Sequence, residues 1–161
     1  DEDTIYGYIK YLNEFWNLMI DVFPEIEDFI NGNPLTAAEK YRDPVNGGNI
    51  IFRPVALLQM IKAISYICSE NNEISIKDVL DIYSRLDRSI SNEPWTKIIW
   101  DPTSKRMLVN NQLLLKYLFI YIFNSELLKD KDKKELYNRY ALVNNIARDS
   151  VEDMLNKYIV R

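Results

Sequence analysis

The chain has no histidine and only one cysteine, Cys68. Without histidine, the commonest general base, the Ser-His-acid and Cys-His arrangements and most transition-metal sites are excluded. One thiol can form neither an intramolecular disulfide nor a Cys-based zinc site. No Asn-x-Ser/Thr acceptor occurs, so a reducing cytoplasm is the expected localisation. Glycine is scarce at four residues. The pair Gly47-Gly48 is followed by neither Gly-Lys-Ser/Thr nor a G-x-G-x-x-G spacing, so no phosphate-cradling loop is written here. The most apolar run, LLLKYLFIYIF at 113–123, is too short to span a bilayer and contains Lys116. It reads as a buried helix.

Acidic residues are plentiful but do not form a centre. Asp1/Asp3, Glu25/Glu27/Asp28, Asp130/Asp132 and Glu152/Asp153 sit at polar helix starts or on polar faces, whereas magnesium or glycosidic chemistry needs carboxylates converging in a cleft. DKDKKE at 130–135 lacks the sharp-turn glycine of a calcium loop and places Lys134 where a ligand belongs. No catalytic, cofactor-binding or metal-binding residue is expected, and no cofactor.

What is present is helical periodicity. The length of 161 residues suits one domain, 1–161, with a core large enough to fold without staples. Ile5, Tyr8, Leu12, Phe15, Trp16, Met19, Val22 and Phe23 form one stripe, with Lys10, Asn13, Asn17 and Asp21 opposite. Pro24 closes that helix and opens a short one ending at Gly32. A punctuated loop with one helical turn at 36–41 follows. Pro54 starts a helix to about Ser69, which Asn71-Asn72 ends, with Val55, Leu58, Ile61 and Ile64 to Ser65 inward. Ser75 and Asp78 predict a capping box, and Ser150 with Asp153 repeats the pattern. Further helices are expected over 111–123, 131–144 and 150–160.

The period changes once. WTKIIWDPTSKRMLV reads as a β-hairpin with strands at 97–100 and 106–109 around Asp101-Pro102, and Ile50 to Phe52 are extended enough to add a third strand. The expected fold is mainly α: about six to seven helices with a small β-hairpin or three-stranded sheet element.

Charge is uneven. Residues 1–33 hold eight acids and one base, net −7; residues 96–148 hold ten bases and five acids, net +5. Two solvated faces of opposite sign account for this, as would a basic surface for phosphate in the second half. If nucleic acid is bound directly, the candidates are Arg53, Lys97, Lys105 and Arg106 beside Trp95 and Trp100, with Lys133 and Lys134 further along. Arg53 reads more simply as the partner of an acid in the N-terminal helices.

Three stretches carry a family resemblance. GGNIIFRPVALLQM at 47–60, Leu86-Asp87, and EPWTKIIWDPTSKRML at 93–108 follow in the order and spacing seen in DGQHR-domain proteins. This is a bacterial family that includes regulators of DNA sulfur modification (phosphorothioation). The resemblance covers roughly 47–123 and implies the C-terminal helical domain, with Gly48, Pro54, Trp95 and Trp100 as framework positions. The motif that names the family needs a histidine and is absent, so the resemblance places it upstream of Asp1. It implies a non-enzymatic accessory or interaction domain linked to DNA modification, defence or their transcriptional control. The expected partners are the upstream domain of the same protein or a second copy, with DNA reached in the whole protein. Such a domain should expose apolar surface on its first helix or around 33–46.

Overall fold

The computed structural model describes residues 2–159. Asp1 and Val160, at the ends of two sequence expectations, lie outside them. Eight α-helices occur among the described residues: α1 (Glu2–Val22), α2 (Pro24–Asn31), α3 (Pro34–Tyr41), α4 (Pro54–Glu70), α5 (Ile76–Tyr83), α6 (Gln112–Asn124), α7 (Asp130–Asn144) and α8 (Val151–Leu155). One antiparallel pair, β1 (Trp100–Asp101) and β2 (Arg106–Met107), sets Trp100 opposite Met107 and Asp101 opposite Arg106. The chain is mainly helical with a two-stranded hairpin, and none of its described helices is long and apolar enough to cross a membrane.

The helix starts follow the sequence closely. Pro occupies the first turn of α2, α3 and α4, where its missing N–H leaves no bond unmade. At α5 the Ser75 hydroxyl accepts from the Asp78 N–H, while the Asp78 carboxylate accepts from the Ser75 N–H at 2.8 Å, a closed capping box. The same pattern at Ser150 does not close. Ser150 lies in a 3-10 turn (Arg148–Ser150) and donates its hydroxyl to the Ala147 carbonyl at 2.7 Å, so α8 starts without a side-chain cap.

The predicted third strand is absent. Ile50–Phe52 form a 3-10 turn, because the Asn49 side chain accepts from the Ile51 N–H and the Arg53 N–H returns to the Ile50 carbonyl. A local side-chain cap offers the backbone a nearer partner than the hairpin does. The hairpin is also shorter than expected, since Thr96 to Ile99 turn back on themselves through Lys97 N–H to Trp100 O at 2.7 Å.

α6 packs against α4 at the centre. Leu114, Leu115, Leu118, Phe119, Ile120, Tyr121 and Ile122 are all buried, so α6 is apolar nearly all round, as a central helix must be. α7 and α8 cover one side, and α5, α1 and α2 build outward from α4 on the other. Where α4 meets α6, the one buried polar residue of the described core, Gln59, donates to Gln112 Oε1 at 3.0 Å.

Candidate functional site

The three stretches that carry the resemblance meet in space. Ile50 N–H donates to Arg88 O at 2.8 Å, Ile90 N–H to Gly48 O at 3.0 Å, and Trp95 Nε1 to Asp87 O at 2.6 Å. Gly47 and Gly48 have φ of +79° and +76°, a region that L side chains rarely adopt. A Cβ on Gly47 would lie 2.6 Å from Ile90 Cγ1 and 2.8 Å from Trp100 Cδ2; one on Gly48 would meet the Tyr41 carbonyl. Trp95 is fully buried, its ring centroid 5.1 Å from that of Phe119. Pro54 opens α4 beside this knot.

Arg53 belongs to it too, but not through an acid. Its Nε donates to the Gly47 carbonyl at 2.8 Å and its Nη2 donates to the same oxygen. Partial burial, with Arg42 nearby, lowers its pKa from the usual guanidinium value. The acid of the N-terminal helices is met instead by Arg88, whose Nε donates to Glu25 Oε1 at 2.5 Å while Asn49 Nδ2 donates to the same oxygen at 3.2 Å. The Arg53 guanidinium ties the glycine turn to the start of α4 through Nε and Nη2, one of the two edges on which it could clamp an anion.

The remaining cations are spread over separate elements. Lys97 and Lys105 are exposed at left-handed backbone positions, φ 64° and 53°, and Arg106 is exposed on β2. Lys133 on α7 is partly buried, 3.7 Å from Glu126, and Lys134 is exposed. Trp95 and Trp100, which the stacking reading needs at the surface, are both in the core. Among the described residues no three His, Cys, Asp or Glu side chains converge as metal ligands.

One groove of about 740 Å³ is polar, and its lining includes Glu25, Lys40, Tyr41, Asp43, Asp87 and Arg88. Its charges are spent internally. Lys40 Nζ lies 2.7 Å from Asp28 Oδ2, and the Tyr41 hydroxyl donates to that same oxygen. These two bonds hold the Asp28 carboxyl below its usual pKa. Of the buried side-chain oxygens and nitrogens among the described residues, Glu25 Oε2 alone is left without a hydrogen-bond partner.

The unpaired chemistry is apolar and lies on α1. Residues 3–14 are all exposed, while Phe15, Met19 and Phe23 on the same stripe are buried. Ile5, Ile9 and Leu12 show 58%, 51% and 54% of their surface, and Tyr8 shows 72%. The first three turns of α1 therefore overhang the body. Beneath them a cleft of about 300 Å³ is lined by Leu12, Phe15 and Trp16 of α1, Ile61 and Cys68 of α4, and Ile76 of α5. Burial raises the Cys68 thiol above its ordinary pKa, which keeps it protonated and unreactive. A second apolar groove, about 490 Å³, begins on the other side of Trp16 and runs past Phe29, Ile30 and Phe52 to Leu57. Around 33–46, Leu35 and Val45 are exposed only singly.

Periodicity identified the stripe but not its two fates. A 3-4 spacing records that a face is apolar and carries no mark of whose surface covers it. The residues of the cleft, Ile61, Cys68 and Ile76, were legible only as ordinary core positions.

Comparison of the chain with models of known protein families, with curated proteins and with solved structures finds no match.

Proposed function

We propose that this chain is a non-enzymatic helical interaction domain whose docking face is the N-terminal half of α1 with the cleft beneath it. The observation that carries the reading is the uncovered stripe from Ile5 to Leu12, continuous with the buried Met19 and Phe23. Taking about 200 Å² for a whole side chain of this size, the exposed parts of Ile5, Tyr8, Ile9, Tyr11, Leu12 and Trp16 come to roughly 700 Å². Monomeric proteins rarely leave a contiguous patch that large open to water. The convergence of residues 47–54, 86–90 and 95–100 into one knot supports reading them as a shared framework. With the resemblance, it supports placing the domain in a cytoplasmic DGQHR-type protein of bacterial DNA modification, defence or their transcriptional control.

A photo-crosslinking amino acid at Ile9, introduced in the cells that make the protein, tests the docking face. Discrete adducts from Ile9, with none from the exposed Leu142 on α7, are the expected result. The absence of any adduct at Ile9 removes the reading.

One observation favours a second reading, a nucleic-acid-binding module. Lys97, Lys105 and Arg106 cluster about the hairpin without an ion pair among the described residues. Arg53, Lys133 and Lys134 complete that candidate surface only from other elements. Fluorescence anisotropy with labelled duplex and single-stranded DNA at two salt concentrations decides it. Binding that falls steeply with salt and is lost in Lys105→Glu/Arg106→Glu supports the module; no binding at low salt dismisses it.

A further inference from the structure

We infer that the occupant of the α1 overhang is a second copy of this chain, the two first helices pairing antiparallel so that each reaches the cleft of the other. The inference rests on the interaction-domain reading and names its partner. Ile5, Ile9, Leu12, Trp16, Met19 and Phe23 recur at intervals of four, three, four, three and four. That is the seam of a helix pair, in which a knob enters a hole every 3.5 residues. The lower end of the seam is filled by the chain's own α5 and core, and the upper end by nothing among the described residues.

One copy thus presents both parts of a helix-in-groove contact. It has a helix with an apolar face and no groove, and beside that helix a cleft with apolar walls and no helix. The cleft walls are Leu12, Phe15, Ile61, Ile64, Cys68 and Ile76. A two-fold axis across α1 satisfies both at once, because the same patch serves on each subunit. The upper half is already held helical by its buried lower half, so pairing does not have to meet the cost of helix nucleation.

The exposed area agrees with this choice. The roughly 700 Å² exposed on one copy approaches the ~800 Å² per partner of a stable protein interface, before the α4 and α5 walls of the cleft are added.

Sedimentation equilibrium and light scattering on the purified chain test the pairing, with the native protein compared with Ile9→Glu/Leu12→Glu and with Ser65→Arg. Ser65 is exposed and lines the cleft, so its arginine blocks the seat without entering the core. A concentration-dependent mass of twice the chain is expected for the native protein at roughly 100 µM, since interfaces of this size give micromolar or tighter constants. Both variants should weaken association at least ten-fold while circular dichroism, and the melting temperature of the dilute chain, stay native. Emission from Trp16, the one exposed tryptophan, should shift to the blue on dimerisation and stay red in both variants. A chain that remains monomeric, or a dimer indifferent to either variant, overturns the inference. If the chain is monomeric yet Ile9 crosslinks to a different protein, the interaction-domain reading stands without the second copy. If Ile9 crosslinks to nothing, that reading falls as well.

Discussion

Ile9 and Trp95 are both large apolar side chains, and they occupy opposite extremes of this molecule. Trp95 is fully buried, its indole N–H bonded to the Asp87 carbonyl at 2.6 Å. Ile9 has half its surface in water. The region around Trp95 contains glycines, an arginine and an asparagine, which composition alone would assign to a surface loop, yet most of its polar groups are matched. The region around Ile9 is as apolar as a core helix and is left open. Burial here follows which partners are at hand and departs from hydrophobicity at both ends. The locked region gives the chain its own stability, and the open region is the face on which the proposed partner would dock.

The comparison is sharpest at its locked end. Trp95→Ala removes a fully buried ring, opens a cavity against Phe119 and leaves the Asp87 carbonyl without its donor. Losing a buried aromatic costs about 3–5 kcal/mol, a large part of the stability of a domain this size. Chemical denaturation should show a correspondingly lower midpoint. A drop under 1 kcal/mol would mean that the knot is not what holds the α4–α6 core together.

Gly48→Ala tests the same knot through the backbone. Its Cβ would meet the Tyr41 carbonyl and lie 2.9 Å from the Asp43 nitrogen, at a φ of +76°. Strain at such a position and overpacking against main chain each cost about 1–3 kcal/mol. A loss of roughly 3 kcal/mol is expected in the same denaturation experiment. A near-neutral outcome would show that the turn can reorganise and that the Arg53–Gly47 contact is dispensable.

How far these properties were legible in the sequence differs by region. Local rules read correctly where a residue's partner is within a few positions: Ser75 and Asp78 close their box, Pro24 and Pro54 start their helices, and the turn at Asp101 forms the hairpin. They failed where two local partners competed. The β-branched Ile50-Ile51 suggests a strand, but the Asn49 carboxamide takes the Ile51 N–H first. Ser150 and Asp153 have the spacing of a cap, but the Ser150 hydroxyl is drawn back to Ala147. Arg53 was expected to find an acid, and Glu25 is bound by Arg88 instead, thirty-five residues further along. The candidate site was legible as a stripe and illegible as a surface, because the fold decides where α4 and α5 end beneath α1.

A change of opposite sign is expected at the hairpin. Lys105 is exposed, with only a weak charge interaction toward Asp43, and held at φ 53°, where a Cβ costs about 1–2 kcal/mol. Glycine relieves that strain and loses roughly 0.5–1 kcal/mol of chain entropy, so Lys105→Gly should stabilise by about 0.5 kcal/mol. The same substitution serves the nucleic-acid reading, since a phosphate contact would be lost as stability is gained. A destabilised Lys105→Gly would show that its side chain has a structural partner.

Ile9→Ala is the smallest effect and the one that bears hardest on the comparison. At dilute concentrations, where each chain stands alone, the side chain removed touches mainly water, and surface substitutions of this kind stay within about 0.5 kcal/mol. Alanine also has a higher helix propensity than isoleucine, which offsets the loss of any residual contact along α1. The melting temperature should therefore match the native chain when measured dilute and fall below it only as concentration rises, since only the paired state uses the isoleucine. A cost of 2 kcal/mol in the dilute chain would place Ile9 in contact with its own domain. The first three turns of α1 would then be folded back onto the body, and the open end of the comparison would close.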